Sequence, residues 1–232
     1  QGMNLGRVVA TMAGLPDSVP GLTVNRFCSS GLQTIAYAAM ELMSGLSDVI
    51  IAGGVESMSS VPMGGYNFSA HPGATEEMVE IYTPMGITAE KVVEKYNVSR
   101  ETQDAFAANS HQKAAAAWKA GKFDDEIVKV PYTDAKGNQK YLEVDESMRA
   151  DTTAEGLSKL RAVFKVGGSV TAGNSSPTND GAAVVMMMTA DKAKELGLEP
   201  MAYFRDFQVA GCPPEIMGIG PAVAIPKLLK HA

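Results

Sequence analysis

The stretch VNRFCSSGL at residues 24–32 decides the fold that we predict, because it joins a short apolar run to a helix-like segment. The run at residues 21–24 is typical of a strand, and residues 31–43, rich in Ala, Leu and Met, predict a helix. A cysteine at such a turn faces the free N–H groups and the positive dipole end of the helix, which favours the nucleophilic thiolate. The pattern makes Cys28 a candidate nucleophile, while a buried structural cysteine fits the same placement.

Helices and strands alternate on both sides of this turn. The first section predicts helix 3–14, strand 21–26, helix 29–45 and strand 48–54. The alternation returns near the other end, with strand 182–189, helix 190–196, strand 202–209 and helix 221–231. This order predicts an α/β fold around a mainly parallel sheet with right-handed crossovers.

The middle of the chain has a different character. Residues 59–84 are rich in Gly, Pro, Ser, Met and Tyr, which is typical of a functional loop or an insertion. Two helices follow, the first capped by Thr88 and the second by Ser99. Residues 127–144 predict a hairpin around a polar turn. We therefore predict an inserted mixed α+β loop subdomain over residues 58–177.

This insertion divides the predicted organisation into three parts. Residues 1–57 form a partial N-terminal α/β section that carries Cys28, and residues 178–232 resume the α/β pattern after the insertion at 58–177. The chain opens and closes on helical patterns whose neighbouring strands are absent, which a doubly wound domain does not normally do. We therefore expect a fragment of a longer chain.

Composition excludes several function classes. The 232 residues are 45% hydrophobic and 20% charged, as in an ordinary globular protein. A net charge of -6 without a Lys/Arg cluster argues against a nucleic-acid partner. No apolar run reaches membrane-spanning length. Cys28 and Cys212 lack metal-ligand spacing and argue against a disulfide framework, which favours a reducing compartment.

Several further segments carry a family resemblance. Residues 25–33 (NRFCSSGLQ) and 51–59 (IAGGVESMS) together resemble the thiolase family, most of all its degradative branch, the 3-ketoacyl-CoA thiolases or acetyl-CoA acyltransferases. The resemblance continues, in family order, through residues 85–90, 158–161, 171–183 and 217–221. It implies a layered fold of two similar α/β halves. Residues 178–232 would then hold the last strand of the first half and the start of the C-terminal half.

The resemblance implies an acyl transfer with no metal and no permanently bound cofactor, in which CoA and acyl-CoA are substrates. Cys28 would attack a 3-ketoacyl-CoA, release acetyl-CoA and pass the shortened acyl group to CoA, as in fatty-acid β-oxidation. The protonating second cysteine, the oxyanion-hole Asn and the Gly-His-Pro histidine of the family have no match in this chain. We therefore expect the chain alone not to turn over.

The resemblance also implies a CoA-binding surface. Its predicted residues are Met85, Arg149, Leu160, Phe164, Ala172 and Ser176. Arg149, Leu160 and Phe164 would line the nucleotide and pantetheine groove, and Met85 would border the acyl pocket. Ala172 and Ser176 belong to a stretch that would border the pantetheine arm.

Other chemistry-bearing residues are predicted to have structural roles. Asn25 is placed to brace the Cys28 turn through hydrogen bonds from its side chain to the backbone, and Glu56 is predicted to be a buried, hydrogen-bonded carboxylate. His71 precedes Pro-Gly but lies far from where the family's Gly-His-Pro motif belongs, so we reject it as catalytic. His111 is predicted to be a surface or packing residue. Cys212 does not match the family's second-cysteine loop.

Two alternatives remain beside the degradative thiolase. One is a biosynthetic acetoacetyl-CoA thiolase, and the other is a non-catalytic, thiolase-like protein that binds CoA thioesters or lipids. The resemblance implies a homodimer or homotetramer, with a β-oxidation multienzyme complex as a further candidate partner. A cytoplasmic location is expected for a bacterial protein, and a mitochondrial or peroxisomal one for a eukaryotic protein.

Overall fold

The computed structural model describes residues 3–232. The α-helices of these residues are α1 (Leu5–Met12), α2 (Ser30–Met43), α3 (Pro72–Glu77), α4 (Met85–Tyr96), α5 (Arg100–Lys119), α6 (Ala154–Ser158), α7 (Ala190–Glu195) and α8 (Gly220–His231). The strands are β1 (Val49–Ser57), β2 (Val130–Thr133), β3 (Gln139–Leu142) and β4 (Asp180–Met188). Short 3-10 helices cover Phe27–Ser29, Val79–Tyr82 and Pro214–Ile219.

The chain forms two compact units. The described residues of the first unit fall within Gln1–Ser69, Thr178–Ala210 and Ala222–Ala232. The second unit comprises Ala70–Pro177 and Gly211–Pro221. The predicted boundaries after residues 57 and 177, and the assignment of the parts to family halves, stay predictions.

The sheet of the first unit is antiparallel. Strands β1 and β4 pair along their whole length, from Val49 opposite Met188 to Ser57 opposite Asp180. The prediction of a mainly parallel sheet is therefore wrong for the described residues. Two strands can be parallel only if a crossover returns the chain to the same end of the sheet, whereas β4 runs back along β1.

The two other predicted strands of this unit are also wrong, because neither segment pairs with a strand in the described residues. In residues 21–26, the Asn4 Nδ2 donates to Gly21 O (2.6 Å), and the Thr23 hydroxyl accepts from Gly6 N (2.8 Å). This segment therefore lies along the start of α1 instead of in a ladder. Residues 202–209 likewise form no ladder, and the Lys227 ammonium donates to Val209 O (2.9 Å).

The core of the first unit is helix α2 packed on β1. The alanines Ala36, Ala38 and Ala39 of α2 are at most 4% exposed, and Ala52 of β1 is 3% exposed. Small residues let the helix approach closely, since a Cβ on Gly54 would lie 3.5 Å from the Gly31 Cα. The start of α2 is thereby held close to β1.

Most helix boundaries follow the predicted signals. Ser99 caps α5 by accepting from Thr102 N (3.2 Å), as predicted. Gly197 ends α7 with a positive φ of 67°, also as predicted. The Thr88 cap is wrong: α4 begins at Met85 after Pro84, whose carbonyl accepts from Thr88 N (3.1 Å). Pro84 has an extended backbone, and the helix starts directly after it, about one turn earlier than predicted.

The predicted hairpin of the second unit is confirmed as strands β2 and β3, which pair antiparallel. Asp134 organises its turn by accepting from the backbone N–H groups of Lys136 and Asn138, each at 2.9 Å. The bond from the Asn138 backbone, followed by the one from Lys140, lowers the pKa of Asp134 from 3.8 to about 2. The turn is thus built around an ionised carboxylate.

Candidate active site

Cys28 lies at the start of helix α2, as predicted. It belongs to the short 3-10 helix Phe27–Ser29, and α2 begins two residues later at Ser30. The cysteine is exposed and makes no disulfide. An exposed thiol at a helix N-terminus can meet a substrate, whereas a buried structural cysteine cannot. Within the described residues Cys28 is thus not buried, and its role as the nucleophile stays a prediction.

The turn that carries Cys28 has a strained backbone held by two polar side chains. Phe27 adopts a φ of 47°, in the left-handed region that non-glycine residues avoid at a cost of about 1–3 kcal/mol. Asn25 Oδ1 accepts from Phe27 N (2.8 Å), which confirms its predicted bracing role. The Ser30 hydroxyl accepts from Arg26 N (2.8 Å) and donates to Phe27 O (2.7 Å). Sequence reasoning missed Ser30, whose signal was a hydroxyl at the first residue of a helix.

Glu56 differs from its prediction. The side chain is exposed and accepts from Ser57 N (3.1 Å), so the prediction of a buried carboxylate is wrong. The neighbouring Val55 is 45% exposed, so this end of β1 is not covered within the unit. The strand predicted to end at residue 54 runs on to Ser57, so Glu56 lies within β1 and not beyond its end.

The second unit holds the six residues predicted for CoA binding, and all six are at least partly accessible. Leu160, Phe164 and Met85 are 41%, 43% and 46% exposed. Ala172, Ser176 and Arg149 are exposed as well. Half-exposed apolar side chains suit the apolar arm of a ligand, and an exposed arginine suits a charged end.

Two glycines allow side chains of this predicted surface to pack closely on the backbone. The Phe164 ring packs on Gly86, next to Met85, so closely that a Cβ on Gly86 would lie 2.2 Å from a ring carbon. A Cβ on Gly173 would lie 2.4 Å from the Leu160 Cδ1. The structure thus places Phe164 at the start of α4 and Leu160 against the 171–176 loop.

A buried carboxylate holds the chain just before this loop. Glu90 of α4 is 3% exposed and accepts from Ser169 N (2.9 Å) and Val170 N (2.8 Å). Gly168 is required beside it, because a Cβ there would lie 2.2 Å from the Glu90 Oε1. A carboxylate in this position satisfies two backbone donors that would otherwise be buried without partners.

A second buried carboxylate, Asp104 of α5, holds the loop itself. Asp104 is 1% exposed and accepts from Arg100 Nε (2.7 Å) and Asn174 Nδ2 (3.0 Å). The Asn174 Oδ1 in turn accepts from Thr171 N (2.8 Å). The same Arg100 donates to the carbonyl oxygen of Leu160 (3.0 Å). Sequence reasoning missed this network, although Arg100 and Asp104 have the i,i+4 spacing of a helical ion pair.

Hydrogen bonds hold both the N–H and the carbonyl group of the Arg149 backbone. Its N–H donates to the His111 Nδ1 (3.1 Å), and its carbonyl accepts from Thr152 N (3.2 Å). His111 is half-buried on α5. It is therefore more than the surface or packing residue that we predicted, because its ring accepts a specific long-range hydrogen bond.

The other candidates have local contacts. The His71 ring caps α3 by accepting from Ala74 N (3.3 Å), which accounts for it structurally. The Cys212 thiol lies 3.9 Å from Met217 O in the second unit, whereas Cys28 belongs to the first. Cys212 is partly buried, while Cys28 is exposed.

The cavity described for the first unit is not lined by Cys28. An open cavity of about 560 Å³ in the first unit is lined by Met40, Met43, Phe204, His231 and their neighbours. Met40 and Met43 lie at the opposite end of α2 from Cys28. The chemistry of the Cys28 turn, and not the size of a cavity, therefore defines the candidate site.

Residues 3–232 contain neither a metal-binding cluster nor a membrane-spanning helix. In this part of the chain, no three His, Cys, Asp or Glu side chains are grouped so that they could share a metal ion. Within the same residues, no helix has both the length and the apolar character needed to cross a membrane.

Comparisons with known proteins show which family the chain belongs to. The family profile described as "Thiolase, N-terminal domain" matches residues 1–191. The chain is 55% identical to the 3-ketoacyl-CoA thiolase of Bacillus subtilis, and the match covers 100% of the chain and 61% of that relative. It is 44% identical to a probable acetyl-CoA acyltransferase of Staphylococcus aureus, again over 100% of the chain and 62% of the relative. The chain thus spans about three fifths of the length of these relatives.

Solved structures show the same likeness. A crystal structure of the Bacillus anthracis acetyl-CoA acetyltransferase matches with a TM-score of 0.87 at 43% identity, covering 98% of this chain and 60% of that one. The dimeric peroxisomal thiolase of Saccharomyces cerevisiae matches with the same TM-score at 40% identity, covering 97% of this chain and 57% of that one. The predicted α/β, thiolase-like fold is therefore confirmed, and the chain belongs to the thiolase family.

Proposed function

We propose that this protein is a 3-ketoacyl-CoA thiolase that forms an acyl-enzyme on Cys28. The observation that carries the proposal is an exposed cysteine on a braced, strained turn at the start of α2, in a chain of the thiolase family. The Bacillus subtilis relative called 3-ketoacyl-CoA thiolase supports the substrate class.

The proposed reaction has two steps. The Cys28 thiolate attacks the C3 carbonyl of the 3-ketoacyl-CoA, the C2–C3 bond breaks, and its electron pair leaves as the enolate of acetyl-CoA. A general acid protonates the enolate at C2 and is left as its conjugate base. The conjugate base left by that acid takes the thiol proton of CoA, and the CoA thiolate attacks the acyl-enzyme thioester, which gives the shortened acyl-CoA and returns the Cys28 thiolate.

The strained turn has a role in this scheme. The thiolate must approach a carbonyl carbon along a defined direction, and a mispositioned nucleophile loses much of its rate. Asn25 and Ser30 hold the backbone on both sides of Phe27 and so fix the position of the next residue, Cys28. The backbone N–H of Cys28 is also available to stabilise a developing oxyanion.

The second unit would supply the CoA-binding surface. We assign the nucleotide end of CoA to Arg149, whose guanidinium can stack on adenine or bind phosphate. Leu160, Phe164 and the loop containing Ala172 and Ser176 would border the pantetheine arm, and Met85 the acyl chain. Their exposure and their glycine-mediated packing support this assignment. CoA and acyl-CoA act as substrates in this scheme, and it needs no permanently bound cofactor.

Two alternatives remain, and one of them has specific support. The likeness to the Bacillus anthracis acetyl-CoA acetyltransferase supports a biosynthetic thiolase that condenses two acetyl groups. A non-catalytic CoA-thioester-binding protein uses the same surface, but it has no need for an accessible cysteine on a strained turn. We favour the degradative direction because the relative at 55% identity has the 3-ketoacyl-CoA name.

Assembly and location belong to the same proposal. The dimeric yeast thiolase supports a homo-oligomer. The bacterial relatives support a cytoplasmic location, whereas the yeast protein is peroxisomal. A β-oxidation multienzyme partner and a mitochondrial location stay predictions.

The test is a thiolysis assay on the full-length protein that contains this sequence. Acetoacetyl-CoA and a longer 3-ketoacyl-CoA are each mixed with CoA, and loss of the enolate absorbance is followed. We expect turnover of both, with the longer substrate at least as good. Turnover confined to acetoacetyl-CoA would favour the biosynthetic alternative, and tight CoA-thioester binding without turnover would favour the non-catalytic one.

A further inference from the structure

One face of helix α5 contacts two separate parts of the predicted CoA surface. Asp104, Ala108 and His111 follow one another at spacings of four and three residues, which places them on the same helix face. Asp104 and Ala108 are 1% and 5% exposed, and His111 is half-buried. Asp104 binds Asn174 of the 171–176 loop, and His111 binds the backbone of Arg149.

This arrangement fixes the distance between the two contacts that α5 makes with the predicted CoA surface. Asp104 and His111 are seven residues apart on a continuous helix, which corresponds to about 10 Å along its axis. The helix is anchored at its start, where Ser99 caps it and Arg100 pairs with Asp104. The loop and Arg149 are therefore both attached to one rigid element at a set spacing.

The contact to Arg149 has a defined chemistry. The Arg149 N–H is the donor, so the His111 Nδ1 accepts with its lone pair and the neutral ring keeps its proton on Nε2. Because the bond is to the backbone, the Arg149 side chain stays exposed and available to a ligand. His111 thus fixes the position of the Arg149 backbone and does not bind the guanidinium of that residue.

We propose that His111 is a positioning residue for CoA, which acts through Arg149 and does not touch the ligand. This proposal rests on the proposed function, which assigns Arg149 to the nucleotide end of CoA. Without the His111 acceptor, the segment around Arg149 can move relative to α5, and the arginine has to be ordered again each time CoA binds. The cost falls on CoA binding and not on the chemistry at Cys28.

Two substitutions separate this role from simple packing. His111→Leu fills a similar space but removes the acceptor, whereas His111→Asn places the Oδ1 acceptor close to where Nδ1 was. Loss of one such hydrogen bond should raise the KM for CoA about fivefold. We expect His111→Leu to show this increase with kcat within about twofold of wild type, and His111→Asn to restore most of the affinity. Gln112→Leu, at an exposed position on the same helix, is the matched control and should change neither constant.

A double-mutant cycle with Arg149→Ala tests the route of the effect. If His111 acts through the arginine, His111→Leu should raise the KM for CoA little further in the Arg149→Ala protein. Equal effects of His111→Leu in both backgrounds would overturn the proposal. So would a His111→Leu protein with wild-type KM, or a His111→Asn protein as impaired as His111→Leu.

Hydrogen exchange of the Arg149 amide gives a readout that does not depend on activity. The amide should be protected in the wild type and in His111→Asn, and should exchange faster in His111→Leu. If the protein neither binds CoA nor turns over its thioesters, the proposed function fails while this exchange experiment still reports on the contact. If Arg149→Ala impairs CoA binding but His111→Leu changes neither KM nor exchange, only the positioning role fails.

Discussion

The Cys28 turn and residues 168–174, which lead into the 171–176 loop, are both held by polar side chains. The sequence distances over which these side chains act are very different. At the turn, Asn25 and Ser30 reach backbone groups no more than four residues away. At the loop, Glu90 and Asp104 reach groups 70 to 80 residues away. The first arrangement is local and can form with its own helix, whereas the second depends on the folded unit. Damage to the turn should therefore affect chemistry, and damage to the loop support should affect stability and CoA binding.

The largest expected effect is on turnover. Cys28→Ala removes the proposed nucleophile and should lower kcat for thiolysis on the order of a thousandfold or more, because the acyl-enzyme can then not form at this position. Cys212→Ala is the matched control, since it removes the other thiol of the sequence, and it should keep wild-type turnover. A Cys28→Ala protein with normal kcat would contradict the assignment of the turn as the site of chemistry.

The next effect is on stability. Asp104→Ala leaves Arg100 and Asn174 without their shared acceptor in a buried position, and should lower the free energy of unfolding by about 2–4 kcal/mol. Glu155→Ala removes an exposed i,i+4 ion pair with Lys159 and should cost less than about 0.5 kcal/mol. Urea unfolding of the two variants measures the contrast. Equal losses would mean that the network under the loop is not the support that we describe.

A smaller effect should appear at the turn. Ser30→Ala removes both bonds that hold Arg26 and Phe27, at a cost of about 1 kcal/mol, and lets the strained backbone relax. The rate of Cys28 alkylation by iodoacetamide should then fall severalfold, while CoA binding changes little. Ser29→Ala removes a neighbouring exposed hydroxyl and serves as the control. If Ser30→Ala weakens CoA binding instead, the separation of roles between the two regions is wrong.

The smallest effect concerns the hairpin of the second unit and its dependence on pH. The pKa of Asp134 is lowered from 3.8 to about 2, chiefly by the bond from the Asn138 backbone. A carboxylate with a depressed pKa in the folded state stabilises the fold above pH 3.8, and this contribution is lost as the pH falls through about 2. An NMR titration of the Asp134 carboxylate should give a midpoint near 2, with faster exchange of the Lys136 and Asn138 amides below it. A midpoint near 3.8 would show that the turn does not hold the ionised form.

Local signals explain most of what the sequence could predict. The start of α2, the Ser99 cap, the Gly197 stop and the hairpin all depend on contacts within a few residues, and each is confirmed. Asn25 was likewise predicted because its partner is only two residues away. Such contacts can be predicted from the order of residue types along the chain.

Apart from the Thr88 cap, which the nearby Pro84 overrides, the main errors depend on which segments meet in space. Residues 21–26 and 202–209 have strand-like composition, but a strand needs a neighbouring ladder, and their polar groups bind to helices α1 and α8 instead. The roles of Asp104 and His111 were missed because their partners lie 70 and 38 residues away. Composition and periodicity carry no information on such pairings.

The account depends most on Cys28 as the residue that carries the acyl group. The direct measurement is to mix the full-length protein with a 3-ketoacyl-CoA in the absence of free CoA, quench with acid, and map the acylated peptide by mass spectrometry. We predict the added acyl mass on the peptide that contains Cys28, with Cys212 unmodified and no acylation in Cys28→Ala. An acyl group on any other residue, or acylation that persists in Cys28→Ala, would contradict the account.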